Sequence, residues 1–139
     1  MTYVLDTTTL SELMRANPSA IARLRGLART EVLLPQPAVA EVFYGLRRMQ
    51  PSRRRAALRV RFDLFRRELR RIVWDDAVSA AFGDIKASLE RRGKRLEDFD
   101  VAIAAHAVAA RATLVTANVR HMRRVDGLLL QDWSAAASK

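Results

Sequence analysis

Two carboxylates, Asp98 and Asp100, open the run Asp98-Phe99-Asp100-Val101-Ala102-Ile103-Ala104-Ala105-His106-Ala107, which is otherwise almost purely apolar. A helix so poor in polar side chains has to be buried, and an ionised carboxylate in its first turn is then expensive unless something opposes the charge. The helix N-terminus supplies about half a positive charge and a few free N–H groups. A metal ion would supply the rest. The ordinary alternative is that Asp98 or Asp100 caps the helix, a common use of Asp. Other acids in equally odd places bear on the choice. Asp6 ends the apolar run Thr2-Tyr3-Val4-Leu5 and is followed by Thr7-Thr8-Thr9, and Glu41 sits inside Ala38-Val39-Ala40-Glu41-Val42-Phe43-Tyr44-Gly45-Leu46. Ala38, Glu41 and Gly45 share one helical row, and small neighbours let a carboxylate approach another element closely.

Carboxylates that converge repel one another, which raises at least one pKa unless a divalent cation neutralises them. Oxygen-only ligands in a chain without Cys point to Mg²⁺ or Mn²⁺ rather than zinc. Either ion can bind phosphate oxygens, lower the pKa of a water and stabilise in-line displacement at phosphorus. That chemistry is metal-dependent phosphodiester hydrolysis. Other chemistries lack their residues. The five glycines form no phosphate-cradling loop. A phosphoaspartyl enzyme would want an Asp two places after Asp6, where Thr8 stands. His106, on an alanine-rich helix, reads as a packing residue, and His121 as a phosphate contact.

The elements that must position these acids follow from the pattern. Thr2–Leu5 is a buried strand, and the threonines after it cap a helix through Leu10, Leu13 and Met14 that Asn17-Pro18 stops. Ser19 caps a second helix with Ile21, Leu24 and Leu27. Val32–Leu34 is the second strand, closed by Pro35 and Pro37, and a helix carrying Glu41 follows. Arg53–Arg71 is helical, with Leu58, Phe62, Phe65 and Leu69 as its stripe. Ile72–Trp74 is a third strand, and Asp75 or Asp76 caps a helix with Val78, Phe82, Ile85 and Leu89. Gly93 ends it. After the acid-headed helix come a strand at Thr113–Thr116, a short helix Val119–Arg124 capped by Asn118, a strand at Leu128–Leu130 and a small, polar tail to Lys139. Strands alternating with helices predict an α/β layered fold with a mostly parallel sheet, its site at the strands' carboxyl ends. Asp6 and Thr116-Ala117-Asn118 leave their strands at that edge, and helices can aim Glu41 and Asp100 toward it. Leu10, Leu13, Met14 and Leu24 read as core, with a groove for a partner helix as the alternative.

With 139 residues, half of them hydrophobic, the chain fits one domain spanning 1–139. The formal net charge is +10, which favours polyanions, and only three of the 25 basic residues are Lys. Arg is the side chain that forks onto phosphate. The arginines of 53–71 fit either the solvated face of an amphipathic helix or a nucleic-acid track. No basic region and long apolar run precedes the first strand, and no apolar run reaches the roughly 20 residues of a membrane span. A cytoplasmic protein is the expectation, and the absence of Cys fits it.

Taken in order, Val4-Leu5-Asp6-Thr7, Ala40-Glu41-Val42 with Tyr44-Gly45, Asp98-Phe99-Asp100-Val101-Ala102-Ile103-Ala104-Ala105, Leu114-Val115-Thr116-Ala117-Asn118-Val119-Arg120-His121 and Asp132-Trp133 resemble a PIN-domain ribonuclease. More narrowly the chain is similar to VapC toxins of type II toxin–antitoxin pairs, in the branch that includes FitB. The resemblance covers nearly the whole chain. It implies a three-layer α/β/α domain, Mg²⁺-dependent endonucleolytic cleavage of RNA (tRNA, rRNA or mRNA), a homodimer, inhibition by a cognate VapB-type antitoxin and DNA contact only through that antitoxin. By that resemblance Asp6, Glu41, Asp100 and Asn118 form the catalytic set, with Asp6, Asp100 and Glu41 as metal ligands and Thr7 and Thr116 orienting carboxylates or water from behind. The family often carries Asp where this chain has Asn118, so the site holds less negative charge and one or two ions remain open. Asp98 either restores some of that charge or caps its helix. A non-catalytic PIN module that grips RNA or protein is the alternative function, which the neutral Asn118 keeps in view. A DNA-binding subunit is disfavoured, since no helix-turn-helix with a basic recognition helix is evident.

Overall fold

The computed structural model describes residues 1–135. The last four residues of the polar tail lie outside them. The elements run β1 (Tyr3–Leu5), α1 (Thr7–Met14), α2 (Pro18–Arg25), a 3-10 turn (Arg29–Glu31), β2 (Val32–Pro35), α3 (Gln36–Arg48), α4 (Arg53–Glu68), β3 (Arg70–Ile72), α5 (Asp76–Arg91), α6 (Asp98–Ala109), β4 (Thr113–Val115), α7 (Val119–Met122) and β5 (Leu130–Gln131). The five strands form one sheet in the order β3-β2-β1-β4-β5, and every neighbouring pair is parallel. The α/β expectation therefore holds. Strand order reverses between β1 and β4, and α/β sheets leave a crevice at such a switch point, outside the carboxyl ends of the strands.

The central strands are buried on both faces because their apolar residues alternate between two cores. Leu5, Val32, Leu34 and Val115 face a cluster with Leu10, Leu13 and Met14 of α1, Val39, Val42 and Leu46 of α3, and Leu58 and Phe62 of α4. Val4, Leu33 and Leu114 face the other cluster, with Ile103 and Ala107 of α6 and Met122 of α7. Helices thus cover both sides of the sheet. The α1 positions are core as expected, and Leu24 packs against the same cluster. Trp133, with no exposed surface, closes that core beside Tyr3 at a ring separation of 5.6 Å. Helix α6 has no polar stripe, and Val101 through Ala107 are all buried. Among the described residues no helix is long and apolar enough to cross a membrane.

Three boundaries differ from the sequence expectation. The third strand is Arg70–Ile72, not Ile72–Trp74, and it takes two arginines from the end of the predicted helix. It is an edge strand, so only backbone pairing with Leu33–Pro35 is required, and charged side chains suit an exposed edge. Val73 and Trp74 lie beyond the sheet and are exposed. The fifth strand is Leu130–Gln131, later than Leu128–Leu130, because Gly127 adopts a positive φ of 74° and the chain straightens only afterwards. Helix caps also shift by a residue or two. Asp6, not a threonine, caps α1, and Asn17, not Ser19, caps α2 by accepting from the Ala20 N–H at 3.0 Å. Pro18 then sits in the first turn of α2, where its missing N–H does no harm.

Candidate active site

Asp6 leaves β1 at the switch point, and its own N–H donates to the Val115 carbonyl of β4 at 2.9 Å. The residue is only 2% exposed, so its carboxylate is enclosed behind the cleft surface. Oδ1 accepts from the Thr7 N–H at 2.7 Å, and Oδ2 accepts from the Thr116 hydroxyl at 2.6 Å and the Thr8 hydroxyl at 3.2 Å. Burial raises the Asp6 pKa, and these three donors oppose the rise. A carboxylate has about four acceptor positions, so one on Oδ1 remains available.

Thr7 ties Asp6 to α3. Its hydroxyl donates to Glu41 Oε1 at 2.6 Å, while its backbone N–H holds Asp6. Helix α3 begins where β2 ends, at the same sheet edge, which is why a residue in its second turn reaches the crevice. Asp100 enters from the first turn of α6 and is half-buried. Burial first, then the charges of Asp6, Glu41 and Glu97, push its carboxyl up to about 6. Burial is the larger cause, and the neighbouring carboxylates add to it. None of the five ion pairs among the described residues includes Asp6, Glu41 or Asp100.

Glu41, Asp100 and Asn118 line one cleft of about 1040 Å³, together with Lys94, Arg95, His121 and Arg124. Asn118 is half-buried and holds the N-cap position of α7 as expected, but its side chain bonds no N–H of the helix. Its side-chain oxygen engages His121 Nδ1 at 2.5 Å, and its backbone N–H donates to the Thr116 hydroxyl at 2.9 Å. Thr116 thus orients both Asp6 and the chain leading to Asn118. Asp98 stands apart from the other acids in its bonding. Its side chain is 66% exposed and pairs with Lys86 of α5 at 3.0 Å. Nor does it cap α6, since the cap position is Glu97 and no side chain bonds the free N–H groups there. His106 is the packing residue expected: wholly buried, with Nδ1 donating to the Ala102 carbonyl at 2.7 Å and burial holding its pKa below the usual value.

Thr8 has a role that its sequence position hides. Its hydroxyl accepts from the Ala117 N–H at 3.0 Å and lies 3.3 Å from the Thr116 hydroxyl, so it bridges the β1 and β4 ends. The signal available is the unbroken threonine run after Asp6.

The acids fit a hard cation on chemical grounds. They are all-oxygen donors, Glu41 and Asp100 line one cleft with Asp6 close enough to act on Asp100, and none of the three has a basic partner within ion-pair distance among the described residues. No three His, Cys, Asp or Glu among the described residues form a ready-made metal cage. Mg²⁺ keeps several waters when it binds, so water and substrate phosphate would complete the set that these acids begin.

Known proteins share this arrangement of chain. The PIN domain family model matches residues 3–128. Ribonuclease VapC2 from Rickettsia felis is 29% identical over 96% of this chain and 98% of its own, and the crystal structure of VapBC2 from that organism bound to a promoter DNA fragment superposes with a TM-score of 0.85 at 28% identity, covering 96% and 99% of the two chains. The tRNA(fMet)-specific endonuclease VapC from Shigella flexneri is 28% identical over 95% of this chain and 98% of its own. The crystal structure of FitAcB from Neisseria gonorrhoeae superposes with a TM-score of 0.77 at 25% identity, over 93% and 96% of the chains. The fold, the order of motifs and the family match agree: the chain belongs to the PIN domain family, on the side of it occupied by VapC and FitB-like proteins.

Proposed function

We propose that this chain is the toxin ribonuclease of a type II toxin–antitoxin pair, an Mg²⁺-dependent endonuclease that hydrolyses RNA phosphodiesters. The observation that carries the reading is the meeting of Asp6, Glu41 and Asp100, far apart in sequence, at one sheet edge where their charge has no basic partner among the described residues. Asp6, Asp100 and Glu41 would hold the ion. When bound, it supplies positive charge to the scissile phosphate and makes water more acidic. The chain's own residues do the positioning. Three donors fix Asp6 in one rotamer, Thr7 couples it to Glu41, and Thr116 couples it to the Asn118 turn. Asp100 has to be ionised for this work; burial and then the neighbouring acids hold its proton in the metal-free protein, and a cation opposes both. Lys94, Arg95, His121 and Arg124, which line the same cleft, meet the substrate's charge.

The DNA-bound VapBC complexes among its relatives support a VapB-type antitoxin as partner, with DNA reached through it; a homodimer belongs to the same reading as what the family resemblance implies. A PIN module that binds RNA without cutting is the second reading. It is favoured by one feature: Asn118 adds no charge and is already engaged with His121. Purified protein and its Asp100→Asn variant, incubated with total RNA in Mg²⁺ and in EDTA, separate the two. Cleavage by the unaltered protein in Mg²⁺ alone is expected. Retained cleavage by Asp100→Asn would overturn the assignment, and absence of cleavage by either would favour the binding module.

A further inference from the structure

A second cleft of about 630 Å³ adjoins the acidic one, lined by Gly93, Lys94, Arg95, Arg120, Arg123 and Arg124. It shares Lys94, Arg95 and Arg124 with the carboxylate cleft, so the two are continuous. Five of its six lining residues are cations and none is an acid. The fold holds them together deliberately rather than letting them splay. Helix α5 ends in a turn in which Gly93, at a φ of 67°, lets the Lys94 N–H return to the Leu89 carbonyl at 2.8 Å. Two further bonds then bind this end of α5 to the segment after α7. The Arg124 guanidinium donates to the Arg95 carbonyl at 2.6 Å, and the Arg92 guanidinium donates to the Arg124 carbonyl at 2.7 Å.

Comparison with α4 sharpens the point. There Arg59 and Arg66 are both paired with Asp63, so part of the basic block is neutralised from within, while Arg53, Arg54 and Arg67 are in no ion pair among the described residues and serve as a matched control. Around the cleft Asp126 pairs only with Arg92, at 3.6 Å and outside the lining. Among the described residues Lys94, Arg95, Arg120 and Arg123 have no carboxylate within ion-pair distance. Like charges gathered in a groove repel one another and focus a positive potential that only a polyanion relieves.

We infer that this cleft is a backbone subsite, in which Lys94, Arg120 and Arg123 hold successive phosphates of single-stranded RNA on one side of the bond cut at Asp6, Glu41 and Asp100. The inference rests on the ribonuclease reading and adds to it where the strand lies. It also shifts the principal RNA track away from the arginine block of α4.

The test is binding of a fluorescent single-stranded RNA oligonucleotide in EDTA, measured across a salt series. The Lys94→Gln/Arg120→Gln/Arg123→Gln protein is compared with Arg53→Gln/Arg54→Gln/Arg67→Gln, which loses the same charge from α4. Each phosphate contact contributes about 0.7 to the slope of log affinity against log salt for single strands, so the cleft variant should lose about 2. The α4 variant should keep its slope. Restoring charge with Arg120→Lys/Arg123→Lys should recover the slope, which a folding defect would not allow. Equal losses in both triple variants, or no loss in either, would overturn the subsite. So would an equal loss for duplex DNA, which would mark a site for another polymer. The unaltered protein's cleavage of the same oligonucleotide in Mg²⁺ reports separately on the ribonuclease reading, whose failure would leave the binding result standing.

Discussion

Replacing Asp100 by Asn should stabilise the metal-free protein at pH 8. The Asp100 carboxyl rises from 3.8 to about 6, driven by burial and then by Asp6, Glu41 and Glu97. A rise of about two pKa units is worth about 3 kcal/mol at 1.36 kcal/mol per unit. Asp100 is only half-buried, and solvent screening reduces this to about 1–2 kcal/mol. The sign follows from linkage. A carboxyl whose folded pKa lies above its unfolded value favours folding most when protonated, so the benefit is complete below pH 3.8 and is lost as pH rises through about 6. Asn is a neutral mimic of the protonated acid and escapes that loss. In EDTA at pH 8, Asp100→Asn should therefore melt roughly 3–7 °C above the unaltered protein, and at pH 4 the two should nearly coincide. Saturating Mn²⁺ should reverse the order at pH 8, since an ion at 100 times its Kd adds about 2.7 kcal/mol to the protein that binds it. Thermal melts by circular dichroism at the two pH values, with EDTA and with Mn²⁺, read all of this. If Asp100→Asn is no more stable than the unaltered protein at pH 8 in EDTA, burial and the neighbouring acids do not disfavour the Asp100 charge and the reasoning fails.

Three other substitutions follow from the same geometry. Thr116→Val removes the 2.6 Å donor to Asp6 and the acceptor for the Asn118 N–H, and should lower RNA cleavage roughly 10–100-fold with a modest loss of stability, as steady-state assays and urea titration would show. Trp133→Ala empties the closed end of the first core and should cost about 3–5 kcal/mol in urea denaturation. Arg111 holds a φ of 53° where the chain turns out of α6, a conformation that Gly adopts without strain, so Arg111→Gly should raise stability by about 1 kcal/mol.

Much of the site was legible because its acids break local rules. A carboxylate at the end of a buried strand, or inside an apolar helix, has to be accounted for, and Asp6, Glu41 and Asp100 all stood out that way. Strand alternation pointed to the edge where Asp6 and the Thr116–Asn118 turn leave adjacent strands, whereas Glu41 and Asp100 reach it from α3 and α6, so their arrival depended on how those helices pack. Asp98 looked equivalent to Asp100 in sequence, yet two positions on a helix differ by about 200° in direction, and Asp98 turns outward to Lys86. The third strand was misplaced because an edge strand needs no hydrophobic face, so Arg70 and Arg71 gave no strand signal while Val73 and Trp74 gave a false one. Thr8 was invisible for another reason: its partners, Thr116 and Ala117, lie more than a hundred residues away, and hydroxyl bonds leave no periodicity.

The most direct measurement is Mn²⁺ uptake followed by the electron paramagnetic resonance of the free ion, for the unaltered protein, Glu41→Gln and Asp100→Asn. Saturable uptake by the unaltered protein, abolished by Asp100→Asn and weakened by Glu41→Gln, is the predicted result. Uptake that neither substitution changes would contradict the claim that these acids form a cation site.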